Sequence, residues 1–453
     1  MEISLMEMLD ARERRASRQK QLLKLYGKPQ VCFTMNIAGP VKNTPVIRRG
    51  FLLGRRLLEQ QLMVAKARIL HVEEINESTG NEAIYVLDCD ALTAKRAAVI
   101  VEDHTEAGRL FDMDVIRPDG SKVERQDVNL DARKCLICGG MAAICARSRT
   151  HTVAQLQERT QTILTSALSH YESQQIARLA CQALLYEVAV TPKPGLVDRS
   201  NNGSHKDMDF FSFQASAAAL WPYFEACAQI GMDTTSCPPE ETFGLLRAPG
   251  MIAEGEMLRA TGGVNTHKGA IFSLGILCAA LGRLGWDYAD KPQRLLSECS
   301  RMTAGLVAKD FAALTAEKAK TTGQKLYLQY GITGIRGQAE AGFPAVLKAG
   351  LPTLEAGLSK GLSLNDAGCG ALLAILAAAV DTNMISRSDY ETQQQVAAQT
   401  AALLKHTPFP EEAVLKQMDA DFIEKNLSPG GTADLLAMTF FLHLIKTDAH
   451  QVI

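Results

Sequence analysis

The stretch LFDMDVIRPDGSKVERQDV, residues 110–128, decides how the first third of the chain is read. Apolar and polar residues alternate through Leu110–Ile116, the period of a half-buried strand. Pro118, Asp119 and Gly120 spell a turn, and Ser121–Val128 reads as the returning strand of a hairpin. Asp112 and Asp114 are two apart, so their side chains share one face, with backbones roughly 6.5–7 Å apart. Carboxylates so placed can hold one or two Mg²⁺ ions and clamp a triphosphate for in-line displacement. The plain alternative is a hairpin whose wet face is acidic.

Outward from this hairpin the same texture continues. Residues 4–26 carry apolar side chains at helical spacing, with Gly27 placed as a stop. Gln30–Ile37 reads as a strand, Val46–Lys66 as an amphipathic helix, Ala67–Glu73 and Glu82–Asp88 as strands, and Ala91–Glu106 as a helix. Asp88 and Asp90 repeat the acidic spacing, but Asp90 is more simply an N-cap. This region is mixed α/β.

Past residue 165 the texture changes to long Ala/Leu-rich stretches separated by Gly/Pro-rich loops. Charge changes too: residues 1–165 hold 25 Lys+Arg against 21 Asp+Glu, whereas 166–453 hold 23 against 29. The seam falls in the polar segment 148–166, giving expected domains 1–165 and 166–453. Helices are expected over 170–190, 209–230, 251–260, 269–284, 291–319, 336–349, 363–380, 387–405, 411–425 and 432–446, so the second domain reads as all-α.

The composition, 47% hydrophobic and 22% charged, is that of an ordinary globular chain. A net charge of −2 gives no general pull toward nucleic acid or membrane. The longest clean apolar run, Ala371–Val380, is well short of the ~20 residues that span a bilayer. The first twenty residues lack the apolar core of a signal peptide, and eleven scattered cysteines suit thiols in a reducing compartment. A soluble cytoplasmic protein is expected.

A second chemical signal is Cys135, Cys138, Cys145 and His151, spaced C-x₂-C-x₆-C-x₅-H. Four such ligands can make a tetrahedral structural Zn²⁺ site. Buried thiols packed beside an apolar Ala142-Ala143-Ile144 core are the alternative. The basic residues interleaved there, Arg133, Lys134, Arg147 and Arg149, suit phosphates or an acidic partner, or simply a solvated face.

Gly108–Val115 (GRLFDMDV), Arg133–Cys138 (RKCLIC), Cys145–His151 and the upstream Phe33-Thr34 with Gly39–Lys42 together resemble the holo-citrate lyase synthase family, the apo-citrate lyase phosphoribosyl-dephospho-CoA transferases. The resemblance covers roughly 1–165. It implies a nucleotidyltransferase-like fold and reaction: a serine of the citrate lyase acyl carrier protein (the γ subunit) attacks the α-phosphate of triphosphoribosyl-dephospho-CoA, and pyrophosphate leaves. It marks Asp112 and Asp114 as catalytic and metal-binding candidates, with Lys42 and Arg109 on the nucleotide. The local net positive charge suits an acidic carrier protein.

In the second half, Gly262–Gly269 (GGVNTHKG) and Ser428–Asp434 (SPGGTAD) each lead into an apolar helix, so that backbone N–H groups and the helix dipole face an incoming anion. Plain turn glycines are the alternative. Thr191–Asp198 (TPKPGLVD) holds Lys193 between two prolines. His205, Asp207 and Asp209 then offer an imidazole and two carboxylates suited to Mg²⁺ or acid–base work, although Asp209 also reads as a helix cap.

These strings, with Glu187 and Gly342-Phe343-Pro344, closely resemble the triphosphoribosyl-dephospho-CoA synthase family. That resemblance implies that ATP and dephospho-CoA are substrates: the ribose 2′-hydroxyl of dephospho-CoA attacks C1′ of the ATP ribose, and adenine departs. Candidate binding residues are Lys193, Asn265, His267, Lys268, Gly430 and Gly431. Asp207 and Asp209 are candidate metal ligands, and Glu187, Asp198, His205 and Asp434 candidate catalytic groups. One chain would then make and attach the citrate lyase prosthetic group. The rivals are a zinc-bearing adaptor protein and the equivalent enzyme pair for malonate decarboxylase.

Overall fold

The computed structural model describes residues 2–312, 314–317, 319 and 321–452, with side chains through 448. The chain forms two compact units, Met1–Tyr171 and Glu172–Ile453.

Unit 1 opens with helix α1 (Leu5–Tyr26), started by a capping box between Ser4 and Glu7 and closed by Gly27 at φ 60°. Strand β1 (Gln30–Met35) follows, then α2 (Pro45–Val64), capped by Thr44 with Pro45 in its first turn. Strands β2 (Arg68–Glu77) and β3 (Gly80–Asp88) form a hairpin. Helix α3 (Ala91–His104) begins at Asp90, whose carboxylate accepts from the Thr93 N–H at 2.9 Å, the cap its sequence suggested. Strands β4 (Phe111–Ile116) and β5 (Lys122–Val123) complete an antiparallel sheet of order β2-β3-β1-β4-β5.

The expected returning strand over 121–128 is only two residues long; the chain then turns through a short 3₁₀ segment, Arg125–Val128. Arg125 explains the departure, because its guanidinium reaches back to the buried Glu102 at 3.0 Å. One face of the sheet carries Val31, Phe33, Tyr85, Phe111, Met113 and Val115, packed in one core with residues of α2 and α3. The opposite face carries Cys32, Ile84 and Val86 against Leu22 of α1. The alternation in β4 therefore sends Asp112 and Asp114 toward the α1 side. Gly108 lets the turn before β4 lie on α3, since a Cβ there would come within 2.7 Å of the Glu102 carbonyl oxygen. Helix α4 (Ala142–Ser148) buries no residue, so the expected Ala142–Ile144 core is absent and Ile144 is exposed. Helix α5 (Val153–Ala189) runs through the expected boundary at 165.

In unit 2 the regular elements among the described residues are helices. The expected run over 209–230 is split into Phe210–Ala219 and Trp221–Asp233, with Pro222 opening the second. The helix expected over 251–260 begins earlier, at Pro239, and carries Pro249 internally. The run over 291–319 contains Pro292–Met302 and Leu306–Phe311; its positions 313 and 318 lie outside the described residues. Three helices went unforeseen: Thr322–Tyr330, Leu351–Ser359 and Thr382–Arg387. A large core runs through Lys268–Leu284, Leu364–Ala378 and Gly430–Val452.

Candidate active sites

In unit 1, a hollow of about 160 Å³ lies on the α1 side of the sheet, lined among others by Arg12, Arg15, Thr34, Lys42, Glu82 and Asp112. Strand register sets the row: Thr34 stands opposite Asp112 on one side and Glu82 on the other. Asp112 is about half accessible yet ringed by protein, and burial followed by the Asp114 charge pushes its pKa up. Arg133 lies 3.7 Å away. Asp114 is paired instead with Lys122, at 2.7 Å. Lys42 turns its ammonium onto the Ile37 carbonyl, and burial with the neighbouring Arg12 charge lowers its pKa.

Arg109 does not face this hollow. Its guanidinium donates to the carbonyls of Lys134 (3.1 Å) and Cys135, tying down the cysteine segment. The hollow's other cations, Arg12 and Arg15, come from α1, where a run of exposed-looking basic residues gave no sign of a site. Also unforeseen was Glu102, buried in α3, which accepts from the Met113 N–H at 2.9 Å and so braces β4.

In unit 2, four distant segments converge on a cleft of about 370 Å³, within the range of small-molecule sites. Helices Lys268–Leu284, Thr382–Arg387 and Gly430–Val452 all begin at its wall. Of the predicted residues, Glu187, Lys193, His205, Asn265, His267, Lys268, Gly430 and Asp434 line it. Lys193, 1% exposed, pairs with Glu187, whose pKa burial nevertheless pushes up. Asp434 lies in the cleft wall, partly accessible; desolvation by its surroundings, then the charges of Glu187 and Asp381, drive its pKa well above the usual range. Gly269 leaves room for it, because a Cβ there would strike the Asp434 carboxylate where it now lies.

His205 sits between Arg387 (Nδ1 to Nη2, 3.0 Å) and Ser428 (Nε2 to Oγ, 2.8 Å). Burial and the Arg387 charge lower its pKa to about 4, so the ring is neutral at pH 7. Nδ1 accepts from the guanidinium, and Nε2–H is left to donate to Ser428. His267 is buried with Nδ1 2.7 Å from the Ser216 hydroxyl, while its buried Nε2 meets no partner. Burial and then Lys193 lower its pKa to about 3.

The remaining predicted residues lie elsewhere. Asp198 is buried beneath the Lys193 loop, accepting from the backbone N–H groups of Lys193 (2.9 Å) and Ser200 (2.6 Å). Asp209 caps helix Phe210–Ala219, accepting from the Ser212 N–H at 2.8 Å, and Asp207 is largely exposed. Gly431 is outside the lining, and a Cβ added there would stand 3.3 Å from the Asp381 carboxylate. Lys268 is at the rim, paired with Glu254 at 2.8 Å. Sequence reading missed Asp381 and Arg387. Asp381 accepts from the N–H groups of Met384 (3.0 Å) and Thr432 (2.7 Å), so it starts two of the three helices. Asp381 just before Thr382-Asn383-Met384 was a legible cap signal; Arg387 carried none.

Residues 173–452 match the family described as ATP:dephospho-CoA triphosphoribosyl transferase. The chain belongs to that family. Residues 3–167 match a second, apo-citrate lyase phosphoribosyl-dephospho-CoA transferase. Full-length relatives have the same make-up. "Protein CitXG" of Haemophilus influenzae is 36% identical over 97% of this chain and 96% of its own length. That of Leuconostoc mesenteroides subsp. cremoris is 32% identical over 97% of each. The 2-(5''-triphosphoribosyl)-3'-dephosphocoenzyme-A synthase of Haemophilus ducreyi is 40% identical over 68% of this chain and 99% of its own. The chain is therefore a bifunctional transferase of citrate lyase prosthetic-group biosynthesis, making triphosphoribosyl-dephospho-CoA and attaching the group to apo-citrate lyase. This is the activity its motifs implied, and the adaptor and malonate decarboxylase readings give way to it.

Proposed function

We propose that synthesis takes place in the cleft of unit 2 and attachment in the hollow of unit 1, which has a nucleotidyltransferase-like arrangement. The observation that carries the first assignment is the meeting of the Lys268–Leu284 helix start, Lys193 and Arg387 with two carboxylates, Glu187 and Asp434, in one cleft. The uncapped helix start and the cations suit a triphosphate. The carboxylates suit the positive charge that builds at C1′ as adenine leaves.

In this reading the 2′-hydroxyl oxygen of dephospho-CoA bonds to C1′ of the ATP ribose. The bond from C1′ to the adenine nitrogen breaks, the hydroxyl proton passes to Asp434 or Glu187, and that same proton is handed on to the departing adenine nitrogen. A raised pKa makes these carboxylates better bases than ordinary ones. His267 Nε2, buried and unpartnered, is a ready contact for the nucleotide. The hard oxygen donors of Glu187 and Asp434 fit Mg²⁺ better than Asp207, which is exposed, or Asp209, which is spent as a cap. When bound, the ion neutralises phosphate charge.

In unit 1, Arg12, Arg15 and Lys42 line the hollow with Asp112, Arg133 lies 3.7 Å from Asp112, and these cations suit the same triphosphate as incoming substrate. A serine oxygen of the citrate lyase acyl carrier protein bonds to the α-phosphorus, the bond to the bridging oxygen breaks, and pyrophosphate leaves. Asp112, with its raised pKa, takes the serine proton. Mg²⁺ fits Asp112 with Asp114, as their shared face permits. Among the described residues no helix is long and apolar enough to cross a membrane. A cytoplasmic setting, where these substrates occur, is part of the same reading.

The test is adenine release from ATP and dephospho-CoA, measured beside the mass gain of apo carrier protein. Asp434→Asn should stop the first and Asp112→Asn only the second. Either variant retaining both at wild-type rate contradicts its assignment.

A further inference from the structure

Cys135, Cys138, Cys145 and His151 take no part in either reaction above, yet one ligand atom from each lies within 4.8 Å of all the others. The backbone builds this cluster. Lys134 and Met141 form an antiparallel bridge, the Cys135 N–H donates to the Gly140 carbonyl at 2.6 Å, and Gly139 turns the chain at φ 72°. The Ile137 N–H points at the Cys135 sulfur at 3.5 Å, the kind of donor that supports a thiolate. Helix α4 presents Cys145, and its left-handed exit at Arg149 (φ 48°) returns His151 to the same spot. The Nε2 atom of His151 is buried and has no hydrogen-bond partner.

In a tetrahedral site with Zn–S bonds of about 2.3 Å, neighbouring sulfurs stand ~3.8 Å apart. Cys138 and Cys145 are already 3.5 Å apart, and closing the widest separation requires about 1 Å of movement. A disulfide between those two would leave Cys135 and the buried His151 nitrogen unexplained. The segment also needs a fastener: α4 buries nothing, and Ile137, Met141 and Ile144 are exposed. Without a core, ordering such a stretch calls for a covalent or metal staple.

We propose that Cys135, Cys138, Cys145 and His151 hold one Zn²⁺ in a closed, four-ligand structural site. Binding forms three Zn–S bonds and one Zn–N bond, and the three thiol protons pass to solvent. The staple is bolted to the start of β4, where Arg109 holds the Lys134 and Cys135 carbonyls and Arg133 donates to the Phe111 carbonyl at 2.6 Å. It thereby keeps Arg133 beside Asp112.

Metal analysis of the full chain, purified with zinc present and then gel-filtered, should find about one zinc per chain. Cys138→Ser and Cys145→Ser should each bind at least ~tenfold more weakly. Cys237→Ser, a thiol outside the cluster, should keep the metal. A second measurement needs no variant: the wild-type chain stripped by chelator and loaded with Co²⁺ should show thiolate-to-cobalt charge transfer and the visible bands of a tetrahedral ion. Wild-type protein without tightly held zinc, zinc that survives both cluster substitutions, or cobalt spectra lacking the charge-transfer band each overturn the proposal.

Discussion

The carboxylates of unit 1 and those of the unit 2 cleft are held in opposite ways. Asp112 and Asp114 sit on a strand, partly open to water, each with a cation nearby: Arg133 at 3.7 Å and Lys122 at 2.7 Å. Glu187 is buried and paired with the buried Lys193, while Asp434, partly accessible in the cleft wall, feels the charges of Glu187 and Asp381. The first arrangement costs the fold little, because solvent and paired cations share the charge. The second holds negative charge where protein alone neutralises it poorly, which is a destabilising arrangement kept for what it binds.

The largest expected effect sharpens that contrast. Asp434→Asn should lower adenine release by about 10²–10³-fold, the usual consequence of deleting a transition-state electrostatic partner. The same substitution should make unit 2 more stable. A carboxyl whose pKa is raised on folding binds protons that the unfolded chain does not, so folding stability falls as pH rises from the ordinary carboxylate range toward the folded value. Thermal melts at pH 8 should show a higher Tm for the variant, and the gap should shrink toward pH 5. A lower Tm at both pH values breaks the comparison.

Asp112→Asn should cost carrier-protein modification a similar ~10²-fold, with much less change in stability, because the native carboxylate is half exposed. Mass spectrometry and denaturant midpoints measure the two sides. The unit 2 histidines give an intermediate effect. Their folded pKa values, about 4 for His205 and about 3 for His267, lie below the ordinary 6.5. Stability from keeping them neutral is present in full above pH 6.5 and is lost as pH falls toward those values. His205→Gln should flatten this acid limb in denaturation curves taken between pH 7 and 4; an unchanged limb would exclude His205 as its source. The smallest effect is expected of Lys122→Ala, which removes a solvated partner of Asp114 and should shift stability by no more than ~1 kcal/mol.

The two regions also differ in how far the chain announces them. The face shared by Asp112 and Asp114 follows from a period of two in Leu110–Ile116, and the structure keeps it. The short return strand was not legible, since Arg125 leaves the sheet for Glu102, a partner 23 positions upstream. In unit 2 the glycine-led helix starts at 262–269 and 428–434 were visible as local patterns, but nothing local says that they face one cleft. Asp209 reads both as a ligand and as a helix cap because the spacing of Asp and Ser is the same for either, and in the fold its carboxylate accepts from the Ser212 N–H; Asp207 stays largely exposed. Arg387 meets His205 only through tertiary folding, so no sequence window contains that pair.

The central claim, two separate chemistries in two separate acidic sites, is tested most directly by mixing two disabled chains. Asp112→Asn and Asp434→Asn protein, each incubated alone with apo carrier protein, ATP, Mg²⁺ and dephospho-CoA, should leave the carrier's mass unchanged. Combined, they should restore the mass gain, because one chain supplies the intermediate and the other attaches it. Modification by either variant alone, or adenine release abolished by Asp112→Asn, would contradict the account.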